Sequence, residues 1–202
     1  MANTAATPAH SQIGLKDVVI APLTKDEAGE SGLVYGTLQN VAGAIDVEIA
    51  PDNSDPDIQY FDDIEGDVVY PDPSIKLTME LADLPIPIQK MILGNKVTTD
   101  GKLVRTAGDT PGYFALGFRS IKTNGLYRYV WMLKGRAAPI TETYHTKEGT
   151  TLTRQSSKVE FTFIKRTHDD AYQVVADQTS STDDTLSTFL ESVPTTFTFS
   201  SD

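Results

Sequence analysis

The densest run of potential ligands is Asp52-Asn-Ser-Asp-Pro-Asp57, whose side-chain oxygens have the close spacing of a calcium loop. Counted from Asp52, however, the fifth position is Pro56, which offers no side-chain ligand. The sixth is Asp57, where the sharp turn of such a loop needs glycine, and the twelfth is Asp63 rather than a bidentate glutamate. A solvated turn is therefore expected, and no metal. His10, His145 and His168 lie far apart and lack a His-Glu-x-x-His spacing. Neither a Gly-x-Ser-x-Gly elbow nor a glycine-rich phosphate cradle leading into a helix occurs. General acid–base catalysis needs two carboxylates with opposed pKa values on a rigid scaffold, whereas these crowd a segment expected to be a loop. No catalytic residue and no cofactor is predicted. Arg119, Lys122, Arg128, Lys134 and Arg136 interleave with Tyr127, Tyr129 and Trp131, a pattern that can form a stacking platform for nucleic acid. The strand pairing derived below assigns those aromatics to a core instead.

Charge is segregated along the 202 residues, which carry a formal net charge of −11. Between Lys25 and Lys76 there is no Lys, Arg or His, while thirteen carboxylates fall there, from Asp26 to Asp72. Lys76 to Arg166 is basic, and after Arg166 the chain is acidic again. The excess disfavours tight phosphate or anionic-membrane binding, and the acidic–basic–acidic order suggests oppositely charged faces that pair between copies. Hydrophobic residues make up 39%, enough for a core, and no apolar run approaches the ~20 residues of a membrane helix. The first residues lack the basic and apolar regions of a secretory signal, and cysteine is absent, so a cytosolic assembly origin is expected.

The elements read as mainly β. Residues 1–12 are expected to be a flexible arm. Strands are predicted at Ile13–Leu23, ended by Pro22, at Val34–Leu38 and at Gly43–Ile49, where Ile45, Val47 and Ile49 share one face. Thr24–Gly32 reads as a charged turn. Ala50–Pro73, with four prolines and many aspartates, reads as a long structureless loop. Its Ile58, Tyr60, Phe61, Ile64, Val68, Val69 and Tyr70 demand a partner surface, and a neighbouring copy is the sharper expectation. Ile75–Leu81 alternates cleanly as a strand. Leu84–Leu93 reads as a helix with Asp83 as its cap, Pro85 and Pro87 in the first turn, and Gly94 at its end. A small hairpin is expected over Val97–Val104. Asn124-Gly125 reads as a type I′ turn, pairing Lys122 with Tyr127, Ser120 with Tyr129, Phe118 with Trp131 and Leu116 with Leu133. Leu116, Phe118, Tyr129, Trp131 and Leu133 then form a core face, opposite a half-polar one. Further strands are predicted at Lys158–Ile164, Tyr172–Ala176 and Thr195–Phe199, with a short helix over Asp184–Ser192. The fold class is a sandwich or barrel with one flanking helix and long loops.

Leu81-Ala-Asp-Leu-Pro85 with the following helix to Leu93-Gly94 resembles the helix region of the major tail proteins of siphophages of Gram-positive bacteria. Pro111–Ser120, Asn124–Trp131 and Leu133-Lys-Gly135 are similar too, as are Ile13–Val19 and Val41–Ile45. Val159–Arg166 resembles that family's late Phe-x-x-Arg strand. The resemblance covers roughly residues 14–175. It implies a tail-tube fold for residues 13–176, with 177–202 as an acidic C-terminal segment. Hexameric rings would stack around a lumen through which the genome passes, in contact with tape-measure and tail-terminator proteins and located in the virion tail. DNA passage would be transient and non-specific, past an acidic wall, with no membrane partner. The contrasting expectations are a monomeric β-sandwich binding or decoration module presenting Tyr60, Phe61 and Tyr70, and an enzyme using the acidic segment as a divalent-metal site.

Overall fold

In the computed structural model the described residues are 9–29, 32–52, 57–61, 64–69, 74–142, 146, 156–180 and 186–198. Strands β1 (Gln12–Asp26), β2 (Leu33–Tyr35), β3 (Gln39–Val41), β4 (Ala44–Asp52), β5 (Asp57–Phe61), β6 (Ile64–Val69) and β7 (Ser74–Leu81) precede helix α1 (Ile86–Leu93). Then come β8 (Lys96–Val97), β9 (Leu103–Val104), β10 (Phe114–Lys122), β11 (Tyr127–Ala137), β12 (Ser157–Phe163) and β13 (Gln173–Asp177). Nine strands form one sheet in the order β2-β1-β10-β11-β12-β7-β4, with β3 on β1 and β13 on β11.

That sheet folds back on itself because β11 serves two partners. Its first half, Arg128–Met132, pairs with β13, and its end, Gly135–Ala137, pairs with β12. The result is two packed layers that do not close into a barrel. Between them lie Val18, Ile20, Leu116, Phe118, Val130 and Met132 of the first layer and Leu77, Met79, Val159, Phe161 and Phe163 of the second. Phe114 meets Phe161 edge-on at 5.4 Å and Phe163 at 5.9 Å, the arrangement that aromatic quadrupoles favour. Alternation in β7 buries Ile75, Leu77, Met79 and Leu81, as the sequence predicts. Helix α1 adds Ile88, Ile92 and Leu93 to the same core and ends at Gly94, whose φ of 69° suits a residue without a Cβ. Its N-cap is Pro85, with no side-chain cap, so Asp83 does not have the predicted role.

At Gly135 the sheet turns from one layer into the other, and a Cβ built there would collide with one side of the Phe163 ring. Gly135→Ala should destabilise the fold by about 1–3 kcal/mol, because a well-packed core yields only by displacing backbone or ring. A urea midpoint within error of the parent's would contradict this packing.

The central hairpin is one residue out of the predicted register. Observed pairs are Leu116 with Met132, Phe118 with Val130, Arg119 with Tyr129 and Ile121 with Tyr127. The cause is the turn. Gly125 has φ +81° and Asn124 has no positive φ, so a type I′ turn is absent. Instead, Gly125 N–H donates to Lys122 O and Lys122 N–H to Leu126 O, a three-residue loop closed by a glycine bulge. One residue of slip moves every side chain to the other face. Leu116 and Phe118 therefore face inward, whereas Trp131 and Leu133 lie in a second apolar cluster on the other side of the layer. Tyr129 reaches the ring of Phe189 at 5.8 Å. All five are buried, but both faces are apolar where one had been expected to be half-polar.

Other boundaries differ for local reasons. β1 continues through Pro22 to Asp26, because at Leu23 it changes its outer partner to β2, and Pro22 contributes its carbonyl to Gly36 N–H. Of the predicted strand Val34–Leu38 only Val34 and Tyr35 are paired, in β2; residues 36–38 form no strand, and β3 begins after them at Gln39. In β4 the register slips at Ile45, which is 56% exposed, while Ala44, Val47 and Ile49 pack on the core. The segment predicted as a helix forms successive turns over 186–191, and residues 193–198 form no strand; Phe199 lies outside the described residues.

Candidate assembly surface

The acidic segment after β4 is a hairpin rather than a structureless loop. β5 and β6 pair antiparallel from Asp57 with Val69 to Phe61 with Ile64, with one register slip between Gln59 and Tyr60. They form a two-stranded sheet of their own, with no ladder to the nine-stranded sheet. The β-branched and aromatic residues Ile58, Tyr60, Phe61, Ile64, Val68 and Val69 occupy the paired strands. The prolines mark boundaries instead of breaking pairing: Pro51 sits in β4, Pro56 precedes β5, and Pro71 and Pro73 lie between β6 and β7. Tyr70 lies outside the described residues, as do the side chains of the other six and most of the calcium-like run 52–57.

β4, from which this hairpin departs, pairs with β7 on one side only. Its other edge offers unpaired backbone groups among the described residues, with Asp46 and Glu48 exposed along it. The bulge at Ile45, those charges and Pro51 are the devices by which an edge strand refuses indiscriminate pairing. The outward face of the same layer is polar in rows: Asp46–Glu80–Lys158, Glu48–Thr78–Glu160 and Ala50–Lys76–Thr162–Arg136. Four carboxylates and three cations share that face, so most of the acid excess lies elsewhere.

A second apolar surface covers the outside of the first layer. Val19, Ala21, Ala115, Trp131 and Leu133 form it, and Phe189, Leu190, Val193 and Phe197 of the C-terminal segment lie over it. Trp131 Nε1 donates to Phe189 O at 2.9 Å. Arg166, 0% exposed, is the anchor. Its Nη1 donates to Pro194 O at 2.8 Å and to Tyr35 Oη at 3.3 Å, its Nε donates to Asp169 Oδ1 at 2.9 Å, and its guanidinium stands 5.4 Å from the Phe197 ring centre. Burial alone would lower the guanidinium pKa, but the bonds to Asp169 and Tyr35 raise it, so the charge persists. Burial pushes the Tyr35 phenol upward despite that neighbour. Nearby, Lys134 Nζ donates to Asp26 Oδ2 at 2.5 Å, and Thr167 and His168 N–H donate to the same carboxylate. Burial would raise the Asp26 pKa; these donors outweigh it and lower it. The sequence signalled Arg166 only through the late Phe-x-x-Arg strand, and gave no sign that Asp26 and Lys134 would meet.

At the far end of β13, Asp177 accepts from Arg128 Nε at 2.6 Å and Nη2 at 2.7 Å and pairs with Lys122 Nζ at 2.8 Å. Arg128 above all, opposed by desolvation and assisted by Lys122, holds its carboxyl well below the usual range. A carboxyl depressed on folding stabilises above its unfolded pKa, near ~4, and that contribution drains away as pH falls through the folded value. The site is partly open to water, so Asp177→Asn should remove no more than roughly 1 kcal/mol at pH 7. The loss relative to parent should shrink below pH ~4. Equal losses at pH 3 and pH 7 in urea titrations would contradict the assignment.

The remaining chemistry is sparse. Among the described residues no three His, Asp or Glu gather as a metal site. His10 is exposed, His168 Nδ1 lies 3.2 Å from Glu27 O, and His145 is outside the described residues. Among the described residues no helix is long and apolar enough to cross a membrane, which leaves spanning by strands unaddressed. Open clefts of about 410 Å³ between β1 and the β3–β4 turn, 330 Å³ beside the C-terminal segment and 290 Å³ next to α1 bring no catalytic pair together. The sequence matches no protein-family model and no curated protein.

Proposed function

We propose that this protein is a structural subunit that polymerises with its own copies into a tube, as the resemblance to siphophage major tail proteins implies. The observation that carries the reading is the pairing of two features on one strand. Among the described residues β4 has an unpaired edge, and it leads directly into an acidic, apolar-rich hairpin with no ladder to the subunit's main sheet. An edge with selective protection is suited to one complementary edge on the next copy, and a head-to-tail contact of unlike edges closes into a ring when the rotation permits. Pairing through β4 extends the second layer across copies. Its outward rows of Asp46, Glu48, Glu80 and Glu160 with Lys76, Lys158 and Arg136 then become a continuous polar wall. As the wall of a lumen this face is weakly acidic and offers DNA phosphates no cationic track to hold. Tape-measure and terminator proteins are the partners this role requires at the ends and inside of such a tube.

Negative-stain microscopy of the protein, concentrated by steps and paired with sedimentation, tests the reading. Rings or tubes are expected above a threshold concentration. A monomer at every concentration would sink the polymer and favour the binding or decoration module.

A further inference from the structure

The C-terminal segment over Trp131 is held without a strand ladder. Residues 193–198 add no strand to the sheet. Among its holds are two donors from the body, Trp131 Nε1 to Phe189 O and Arg166 Nη1 to Pro194 O. Phe189, Leu190, Val193 and Phe197 supplement them by lying on the apolar face. A cleft of about 330 Å³ runs beside it, walled by Ala21, Tyr35 and Leu38 on the body and Glu191, Val193 and Thr195 on the segment. Contact along that length is therefore incomplete.

We propose that residues 186–198 are an exchangeable strap, and that where two copies meet, the strap of one lies on the Val19–Trp131–Leu133 face of the other. Both donors and the apolar face belong to the body, so a neighbour's body offers an incoming strap the same two donors and the same apolar surface. Exchange conserves the contacts, and its difference in free energy reduces to the chain connection, which a high local concentration of the neighbouring strap offsets. The chain from Asp177 to the strap spans up to about 30 Å when extended, enough to cross to an adjoining subunit. The face itself looks outward from the first layer, so an incoming strap reaches it without opening the inner core. This requires only that copies meet, whatever shape the assembly takes.

The chain has no cysteine, which makes a cross-linking test clean. Chains bearing Ala21→Cys alone and Val193→Cys alone are mixed at the concentration where the protein associates, then mildly oxidised. Exchange is expected to give the mixed disulfide dimer, one chain of each variant, in excess over either homodimer, and its absence overturns the proposal. The doubly substituted chain, dilute, reports the same bond within one molecule. A second measurement does not depend on those thiols. Trp131 is the sole tryptophan, and Glu191 is exposed. Wild-type chain is mixed with a Trp131→Phe chain carrying a nitroxide on Glu191→Cys. Wild-type emission should fall by about half as equimolar straps redistribute by mass action. Unchanged emission after prolonged mixing would overturn the exchange. Tubes without mixed dimers would sink the strap and leave the tube; mixed dimers without tubes would do the reverse.

Discussion

Arg166→Ala should lower unfolding stability by about 3–5 kcal/mol, the loss expected when one member of a buried, hydrogen-bonded charge cluster is removed and the rest stay behind. The guanidinium is wholly enclosed, so its removal leaves the Asp169 carboxylate, the Tyr35 hydroxyl and the Pro194 carbonyl without their donor. Asp169 keeps the Ala171 N–H and Tyr35 keeps its bond to Leu133 O, so the cost falls mainly on the cavity left by the enclosed guanidinium and on the Pro194 carbonyl. The ring of Phe197 loses its cation at the same time. Arg166→Lys should recover only part of the loss, because a single ammonium cannot occupy Asp169 twice while also reaching Tyr35 and Pro194. Urea unfolding followed by Trp131 fluorescence reads both variants. Trp131 donates to the same segment that Arg166 anchors, so its emission should shift in Arg166→Ala before global unfolding. A loss under about 1 kcal/mol for Arg166→Ala would place this residue among ordinary surface charges.

Excising the acidic hairpin should abolish association while leaving the subunit folded. Asp52 and Ser74 are direct partners in the β4–β7 ladder, so the strands already lie side by side where the hairpin leaves. Replacing residues 53–73 with Asn-Gly joins them through the two-residue turn that such a ladder accepts. Among the described residues β5 and β6 form no ladder with the nine-stranded sheet, and stability should therefore change little. Association should weaken more than about 100-fold, as it does when the central apolar anchors of an interface are removed. The threshold concentration in sedimentation measures this directly. An excised chain that polymerises as readily as its parent would show that the hairpin is not an assembly element.

What could be read from the residues depended on how local the deciding force was. β7 alternates Ile75, Leu77, Met79 and Leu81 against Lys76, Thr78 and Glu80, and a period of two is a purely local signal. Gly94 ends α1 because only its own φ is at stake. The β10–β11 register was not local. Asn124-Gly125 suits two turn types, and the two cores on either side of the strands distinguish them. β5 and β6 were masked by the prolines and aspartates around them, although Ile58, Tyr60, Val68 and Val69 carried the strand preference. Thr195-Thr-Phe-Thr alternates like a strand, but Arg166 binds the carbonyl just before it and no neighbour among the described residues offers it a ladder. Arg166 itself looked like any cation at a strand's end. Its burial is decided by Tyr35, Asp169 and Pro194, which come from three different parts of the chain.

The long reach of β1 fixes when the molecule can become itself. β1 has its longest ladder with β10, about a hundred residues downstream, and β2 and β3 pair only with β1. On a ribosome the first strand waits, unladdered on that side, while β4 to β9 are still being made. The outer core waits longer still, because Phe189, Leu190, Val193 and Phe197, which lie over it, are made only after β13. Such non-local closure folds in milliseconds to seconds rather than microseconds. Each copy therefore emerges with apolar β-surface uncovered, the state in which unpaired strands are most prone to aggregate.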